Sequence, residues 1–204
     1  ITGSFYFRAV PESWDERIIK EISAMGHEIG YHYENLSKIS EESDVRSEAQ
    51  LFELAFDDFK QHLEKLRALA PVSTICMHGS PSSKWDSRDL WKKYDYKSLG
   101  IIGEPYFDID FSQVFYLTDT GRRWDGYKVS VRDKIPQHQD RWEKNGLVFH
   151  STQDIINAAN ERRLPQQIMM TVHPQRWTDK AGAWMKELLW QSIKNQVKRV
   201  VIIR

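Results

Sequence analysis

The chain lacks several features that would place it in a narrow class. It contains one cysteine among 204 residues, so no internal disulfide can form. Lys plus Arg and Asp plus Glu both number 29, and this balance removes the attraction on which nucleic-acid binding depends. No apolar run approaches the roughly 20 residues that a membrane-spanning helix needs. These absences favour a small or neutral ligand, with no nucleic-acid partner and no membrane partner.

The sequence also lacks domain linkers and a recognisable signal peptide. No Pro-, Gly- or Ser-rich linker divides the chain, and this length buries one proper core, so we predict a single domain over residues 1–204. The amino end has no initiator methionine and lacks the charged start and apolar centre of a signal peptide. Cys76 lies in an apolar run, where we expect a small buried hydrophobe. A single such cysteine favours a reducing compartment such as the cytoplasm.

Strand-like and helix-like segments alternate along most of the chain. Apolar runs of strand length occupy residues 1–7, 72–77, 113–117 and 168–172, with 147–149 as a further candidate. Helical spacing of apolar residues predicts helices at 13–25, 42–70, 87–93 and 151–163, and a last helix that begins at Thr178. The tail at 200–203 fits either a final strand or the end of that helix. This alternation predicts an α/β fold with parallel strands and crossover helices.

Residues 100–150 break the alternation, since aromatic residues, acids and turns replace a clean helix. Segments of this length without regular structure are typical of binding loops. We expect residues 103–106 and 119–126 to face a ligand.

Tryptophan is abundant, with eight residues in the chain. Trp184 and Trp190 lie in the predicted last helix, where we expect core anchors. Trp85, Trp124 and Trp177 follow predicted strand ends and sit beside charged residues. Their flat rings are candidates for stacking on a sugar.

The densest group of ligand atoms lies in residues 25–35, MGHEIGYHYEN, which we interpret as a turn after the first helix. Two further histidines, His78 and His173, each follow an apolar run of strand length and precede Gly or Pro. Barrels and open α/β sheets build their active sites at the carboxyl ends of strands. Imidazole and carboxylate are the ligands that zinc prefers. The sequence therefore predicts a metal site that includes His32 and His78.

Residues 26–32 resemble the histidine-containing turn of the polysaccharide deacetylase family, also called the NodB-homology domain. In that family a Gly-His-Glu-Ile-Gly turn leads into the metal-binding histidine motif after the second strand of an irregular (β/α) barrel. Residues 1–7 look like that second strand, and His32 falls on the first metal histidine. The resemblance spans most of the chain and is strongest in residues 1–36.

The resemblance implies metal-dependent hydrolysis of an N-acetyl or O-acetyl group on a sugar or polysaccharide, with a divalent metal, most simply zinc. The second metal histidine of the family falls on Leu36 here, so His78 is expected to replace it, and Glu34 is a further candidate ligand. His173 matches a late histidine that acts as general acid toward the leaving amine. The predicted substrate-binding residues are Tyr106, Arg123, Trp124, Asp125 and Trp177.

The chain departs from the family at its amino end. The first strand of the family carries a paired-aspartate motif, and no residue precedes Ile1 here. The pair Asp57-Asp58 lies in a helical register, where we expect a solvated helix face. The resemblance thus implies a barrel that lacks its first strand, or a defective site. Two alternatives stay open: a catalytically inactive carbohydrate-binding protein on the same barrel, and a metal-dependent hydrolase of another amide or ester.

Overall fold

The computed structural model describes residues 2–42, 44–80, 83–128, 130, 133–174 and 177–202. Tertiary contacts divide the chain into two compact units, unit 1 over Ile1–Ile109 and unit 2 over Asp110–Arg204. Each unit contains its own small parallel sheet. The assignment of the whole chain to one catalytic domain stays a prediction.

Unit 1 has a three-stranded parallel sheet in the order β1-β2-β3. Its strands and helices are β1 (Ser4–Phe7), α1 (Glu16–Ala24), β2 (Glu28–Tyr33), α2 (Asn35–Glu42), α3 (Glu48–Arg67), β3 (Val72–Met77) and the short α4 (Pro105–Asp108). Among the described residues of this unit, 3₁₀ turns lie at Pro11–Ser13, Ser87–Lys92 and Tyr96–Leu99.

The core of unit 1 lies between one side of this sheet and α3. Strand residues alternate in direction, so Tyr31 and Tyr33 of β2 point to the same side and are buried. Opposite them, α3 presents Phe59 and Leu63 at helical spacing. The ring of Phe59 makes a tilted contact with Tyr31 and an edge contact with Tyr33. Burial of this aromatic set holds the sheet against the helix.

The other side of the unit 1 sheet is polar, because alternation sends the intervening residues there. Tyr6 of β1 and Thr74 of β3 meet on this side, with their hydroxyl oxygens 3.2 Å apart. The ring of Tyr6 crosses β2 at Gly30, where an added Cβ would lie 2.3 Å from the ring. Any side chain at residue 30 would collide with this ring, so glycine is required here for Tyr6 to reach Thr74 across β2.

The pairing of β2 with β3 contains one irregularity. Ile29 pairs with Val72 and Tyr31 pairs with Ile75, so two steps along β2 match three along β3. The extra residue changes the phase of β3, and both Val72 and Ile75 are buried in the core. Cys76 consequently lies opposite His32 on the polar face.

Unit 2 has a two-stranded parallel sheet of β4 (Phe115–Thr118) and β5 (Ile168–Thr171). Its helices are α5 (Pro136–Lys144), α6 (Thr152–Asn160) and α7 (Ala181–Ile202), with 3₁₀ turns at Thr120–Arg122 and Gly126–Lys128. Edge contacts of Phe115 with Trp142 and Phe149 form its aromatic core. Helix α6 begins with a capping box, in which Ser151 and Asp154 exchange hydrogen bonds between side chain and backbone.

The expected irregular (β/α) barrel of the polysaccharide deacetylase type, with its first strand missing, is wrong. The fold is mixed α/β, with five short strands in two parallel sheets, and no closed barrel is found among the described residues. After β3 the chain forms 3₁₀ turns and the four-residue α4 rather than a further helix–strand pair. The outer edge of β3 therefore gains only an isolated bridge between Thr74 and Gly103.

Local predictions had mixed outcomes. Strands at 72–77 and 168–172, and a helix capped by Ser151, are confirmed with ends shifted by a few residues at most. The predicted turn at 25–35 is wrong, because residues 28–33 form β2, in which Ile29, Tyr31 and Tyr33 are buried. The helix predicted at 42–70 is confirmed as α3, which begins later, at Glu48, because Ser47 caps it by accepting from Gln50 N. The preceding helix α2 was not predicted.

The largest local error concerns the last helix. Trp184 and Trp190 were expected in the core, yet they are 41% and 54% exposed. Helix α7 instead buries the polar side chains of Gln191 and Asn195, and the Asn195 amide donates to the carbonyl oxygen of Gly121. The tail fits the end of this helix, which continues to Ile202.

Candidate functional site

Polar residues follow each of the three neighbouring strands of unit 1. Arg8, Glu34 and His78 are the first residues after β1, β2 and β3 respectively. Because the strands are parallel, their carboxyl ends meet at one edge of the sheet. This edge brings together a cation, a carboxylate and an imidazole, and His32 is the penultimate residue of β2, on the polar face.

The rings of His32 and His78 are adjacent. Nδ1 of His32 lies 2.9 Å from the carbonyl oxygen of Cys76, and since a carbonyl only accepts, this geometry assigns the ring proton to Nδ1. The lone pair of His32 Nε2 then points to Nδ1 of His78, 3.1 Å away. Burial, followed by the proximity of His78, lowers the pKa of His32 to about 4, so its imidazole is neutral at pH 7.

Glu34 lies on the far side of the His78 ring from His32. Its carboxylate accepts from Arg8 through Nε at 2.9 Å and Nη2 at 2.7 Å. Its Oε2 is 3.9 Å from Nε2 of His78, the nitrogen that faces away from His32. The structure therefore brings the predicted ligands His32 and His78 together and places the predicted ligand Glu34 behind His78.

The two facing nitrogens fit part of a zinc site. Zinc–nitrogen bonds of about 2.0–2.1 Å at tetrahedral angles place two ligand nitrogens about 3.3 Å apart, close to the 3.1 Å between His32 and His78. A hydrogen bond from the other ring nitrogen to a backbone carbonyl, as at His32, is the usual orientation of a metal-binding imidazole. Within the described ranges, no group of three or more His, Cys, Asp or Glu is placed to hold a metal ion.

A buried carboxyl group supports the end of β3. Glu104 was expected to face a ligand, but its side chain lies in the interior, where it accepts from Met77 N at 3.0 Å and Tyr106 N at 2.7 Å. Burial raises the pKa of Glu104 to about 7. The ring of Tyr106, a predicted substrate contact, is covered by the Arg88 guanidinium at 5.0 Å. These contacts fix the backbone from which His78 projects.

Unit 2 contains a second polar group at its strand ends. Asp119 directly follows β4, and its carboxylate accepts from His173 Nδ1 at 2.5 Å, from His173 N at 3.0 Å and from Trp177 Nε1 at 3.0 Å. Burial alone would raise the pKa of Asp119, but the hydrogen bonds from His173 and Trp177 hold it below its usual value. The predicted catalytic residue His173 is thus oriented by a carboxylate, as a general acid requires.

The remaining predicted substrate contacts in unit 2 surround Asp125. This carboxylate is buried and accepts two hydrogen bonds from Arg123, while His150 Nδ1 lies 3.1 Å away. Burial would raise the pKa of Asp125, but these neighbours lower it. Trp124 donates from Nε1 to Thr152 Oγ1 at 3.0 Å. Arg123 and Asp125 therefore form an ion pair with each other.

Sequence reasoning missed Arg8 and the role of Asp119. The signal was present in both cases, because each residue directly follows a strand, the rule that had selected His78. Among the predicted residues, the structure joins His32 to His78 and joins His173 to Trp177 through Asp119. Trp177 is 60% exposed, so one face of its ring is open for stacking.

Comparison with protein-family models, with curated proteins and with solved structures gave no match. Across the part of the chain that the structure describes, no helix combines the length and the apolar character needed to cross a membrane. The resemblance to polysaccharide deacetylases stays a prediction based on the residues quoted above.

Proposed function

We propose that this protein is a metal-dependent carbohydrate deacetylase that hydrolyses an N-acetyl or O-acetyl group, with a divalent metal, most simply zinc, held by His32 and His78. The observation that carries the proposal is the pair of imidazole nitrogens 3.1 Å apart at a polar sheet edge. The substrate class comes from the resemblance of residues 26–32 to the deacetylase turn.

The surroundings of this pair support metal ligation. His32 is neutral at pH 7, and its Nδ1 is oriented by the carbonyl oxygen of Cys76. A ligand histidine commonly donates from its second ring nitrogen to a carboxylate, and the Glu34 carboxylate lies on that side of His78, with Oε2 3.9 Å from Nε2, longer than a hydrogen bond. We therefore assign Glu34 to the orientation of His78 and Arg8 to the orientation of Glu34. When bound, zinc supplies Lewis-acid chemistry, since it polarises a carbonyl and makes water more acidic.

Unit 2 contains a second pair of groups suited to proton transfer, His173 and Asp119. His173 would protonate the departing amine, the role that the resemblance implies. The Asp119 carboxylate accepts from Nδ1 of this imidazole and so fixes which ring nitrogen faces away from it. The exposed face of Trp177 is suited to stack on a sugar ring.

Zinc content tests the first part of the proposal. The full chain and its His32→Ala and His78→Ala variants are dialysed against zinc and analysed for bound metal, with His138→Ala as the matched control. His138 belongs to α5 in unit 2, so this variant also loses one imidazole but leaves His32 and His78 intact. We expect close to one zinc per chain in the wild type and the control, and strong loss in both test variants. Equal zinc content in all four samples would refute the shared site.

Acetate release tests the second part, and it separates the alternatives. Zinc-loaded protein is incubated with acetylated chitooligosaccharides, xylan acetate and a simple amide and ester series. Release from a sugar substrate that depends on both histidines supports the deacetylase. Release only from the non-sugar series supports a hydrolase of another amide or ester. Sugar binding without release supports the inactive carbohydrate-binding protein.

A further inference from the structure

Helix α7 packs against the rest of unit 2 with its polar side. Gln191 and Asn195 are buried and joined by a hydrogen bond of 2.8 Å, and Asn195 also donates to Gly121 O. Near the start of the helix, Arg122 donates to the carbonyl oxygen of Trp184 and lies over its ring. Polar contacts thus attach this helix, whereas a surface helix usually buries an apolar stripe.

The opposite side of α7 forms an exposed apolar stripe. Its members recur mainly every fourth residue and are each between 51% and 61% exposed: Met185, Leu189, Trp190, Ile193 and Val197. Residues four apart lie on one side of a helix, so the stripe is continuous over three turns. Scattered apolar residues on a surface are ordinary, but a contiguous stripe marks an interaction surface.

The charge of α7 differs from that of the chain. The helix contains four basic residues and one acidic residue, although the whole chain has a formal net charge of +0. Exposed Lys186 and Lys194 border the stripe, and the Lys194 ammonium lies 5.2 Å from the ring centre of Trp190. A second copy of the same stripe would bring these like charges together, which disfavours self-association through this surface.

We propose that the stripe on α7 is a docking surface for an acidic amphipathic helix of a partner protein. The i, i+4 spacing suits ridge-into-groove packing with another helix. Acidic residues at the edges of the partner helix would pair with Lys186 and Lys194. The aromatic ring of Trp190 lies within the stripe, and buried Trp commonly dominates the energy of such interfaces.

Two synthetic 22-residue peptides test this surface. They share one leucine stripe and differ only in flanking residues, which are Glu in one and Lys in the other. Titration calorimetry with the full chain should show the Glu peptide binding at least tenfold more tightly, with weaker binding at 0.5 M salt. Leu189→Glu should abolish binding, whereas Met25→Glu, at an exposed apolar site in unit 1, should leave it unchanged.

Charge reversal is the second variant, because it changes only exposed residues. Lys186→Glu with Lys194→Glu should reverse the preference toward the Lys peptide. Three outcomes overturn the proposal. They are equal or absent binding of the two peptides, stronger binding to vesicles of phosphatidylserine and phosphatidylcholine than to the Glu peptide, and a dimer in sedimentation equilibrium that Leu189→Glu dissociates. None of these readouts depends on zinc or on deacetylase activity.

Discussion

The two units place polar residues in similar positions but use their longest helices in opposite ways. In unit 1, α3 buries Phe59 and Leu63 against the sheet. In unit 2, α7 buries Gln191 and exposes Leu189. Both helices have apolar residues at helical spacing, and only one of them uses that spacing to build the core of its own unit. The comparison shows that apolar periodicity predicts which side of a helix is apolar, but does not predict which element packs against that side.

The largest expected effect concerns the strand ends of unit 2. His173→Gln should lower kcat for acetate release by about 10²–10⁴, because it removes a proton donor. The measurement is the initial rate at saturating acetylated chitooligosaccharide with zinc present. His138→Gln is the control, since it makes the same substitution at an imidazole of α5. A His173→Gln rate within twofold of wild type would refute the role of general acid that the resemblance assigns to His173.

The next effect tests the difference between the helices directly. Phe59→Ala should lower the free energy of unfolding by about 3–5 kcal/mol, since the ring is fully buried and its loss leaves a cavity. Leu189→Ala in α7 should change it by no more than about 0.5 kcal/mol, because its side chain already faces solvent. Urea unfolding measures both variants. Comparable losses would contradict the contrast between the two helices.

Glu104 makes the stability of unit 1 depend on pH. Its folded pKa of about 7 exceeds the ordinary 4.5, so the unfolded chain releases this proton first as the pH rises. The stabilisation is complete below pH 4.5 and is lost progressively up to pH 7, by on the order of 3 kcal/mol. Urea unfolding between pH 4.5 and 8 should show this decline. In Glu104→Gln the decline should be largely absent, and a retained slope would assign it to another group.

The smallest effect concerns the start of α6. Ser151→Ala should lower the free energy of unfolding by about 1 kcal/mol, because Asp154 N loses its bond to the Ser151 hydroxyl, whereas the bond from the backbone N of residue 151 to the Asp154 carboxylate remains. Ser151→Thr keeps the hydroxyl and should restore most of the stability. Thermal unfolding of the three proteins measures the difference. An unchanged melting temperature in Ser151→Ala would show that this cap contributes nothing to unit 2.

The sequence predicted local structure better than assembly. The strands near Val72 and Ile168 were predicted correctly because a short apolar run between Pro or Gly residues is typical of a buried strand. The pairing of His32 with His78 followed from strand ends in a parallel sheet. The barrel was wrong because sheet closure depends on long-range pairing of strands that no local pattern encodes. Glu104 was placed on a loop surface because its burial depends on hydrogen bonds from Met77 and Tyr106.

The register irregularity between β2 and β3 also has a consequence for insertions and deletions. Removal of Ser73 would leave Val72 and Ile75 an even number of positions apart, so the core residues and Cys76 would keep their present sides of the sheet. Removal of one residue from 75–77 would instead turn the end of the strand over and carry His78 toward the hydrophobic interior. Chain-length variation among related sequences is therefore expected to concentrate at residue 73 and to spare the three residues that precede His78.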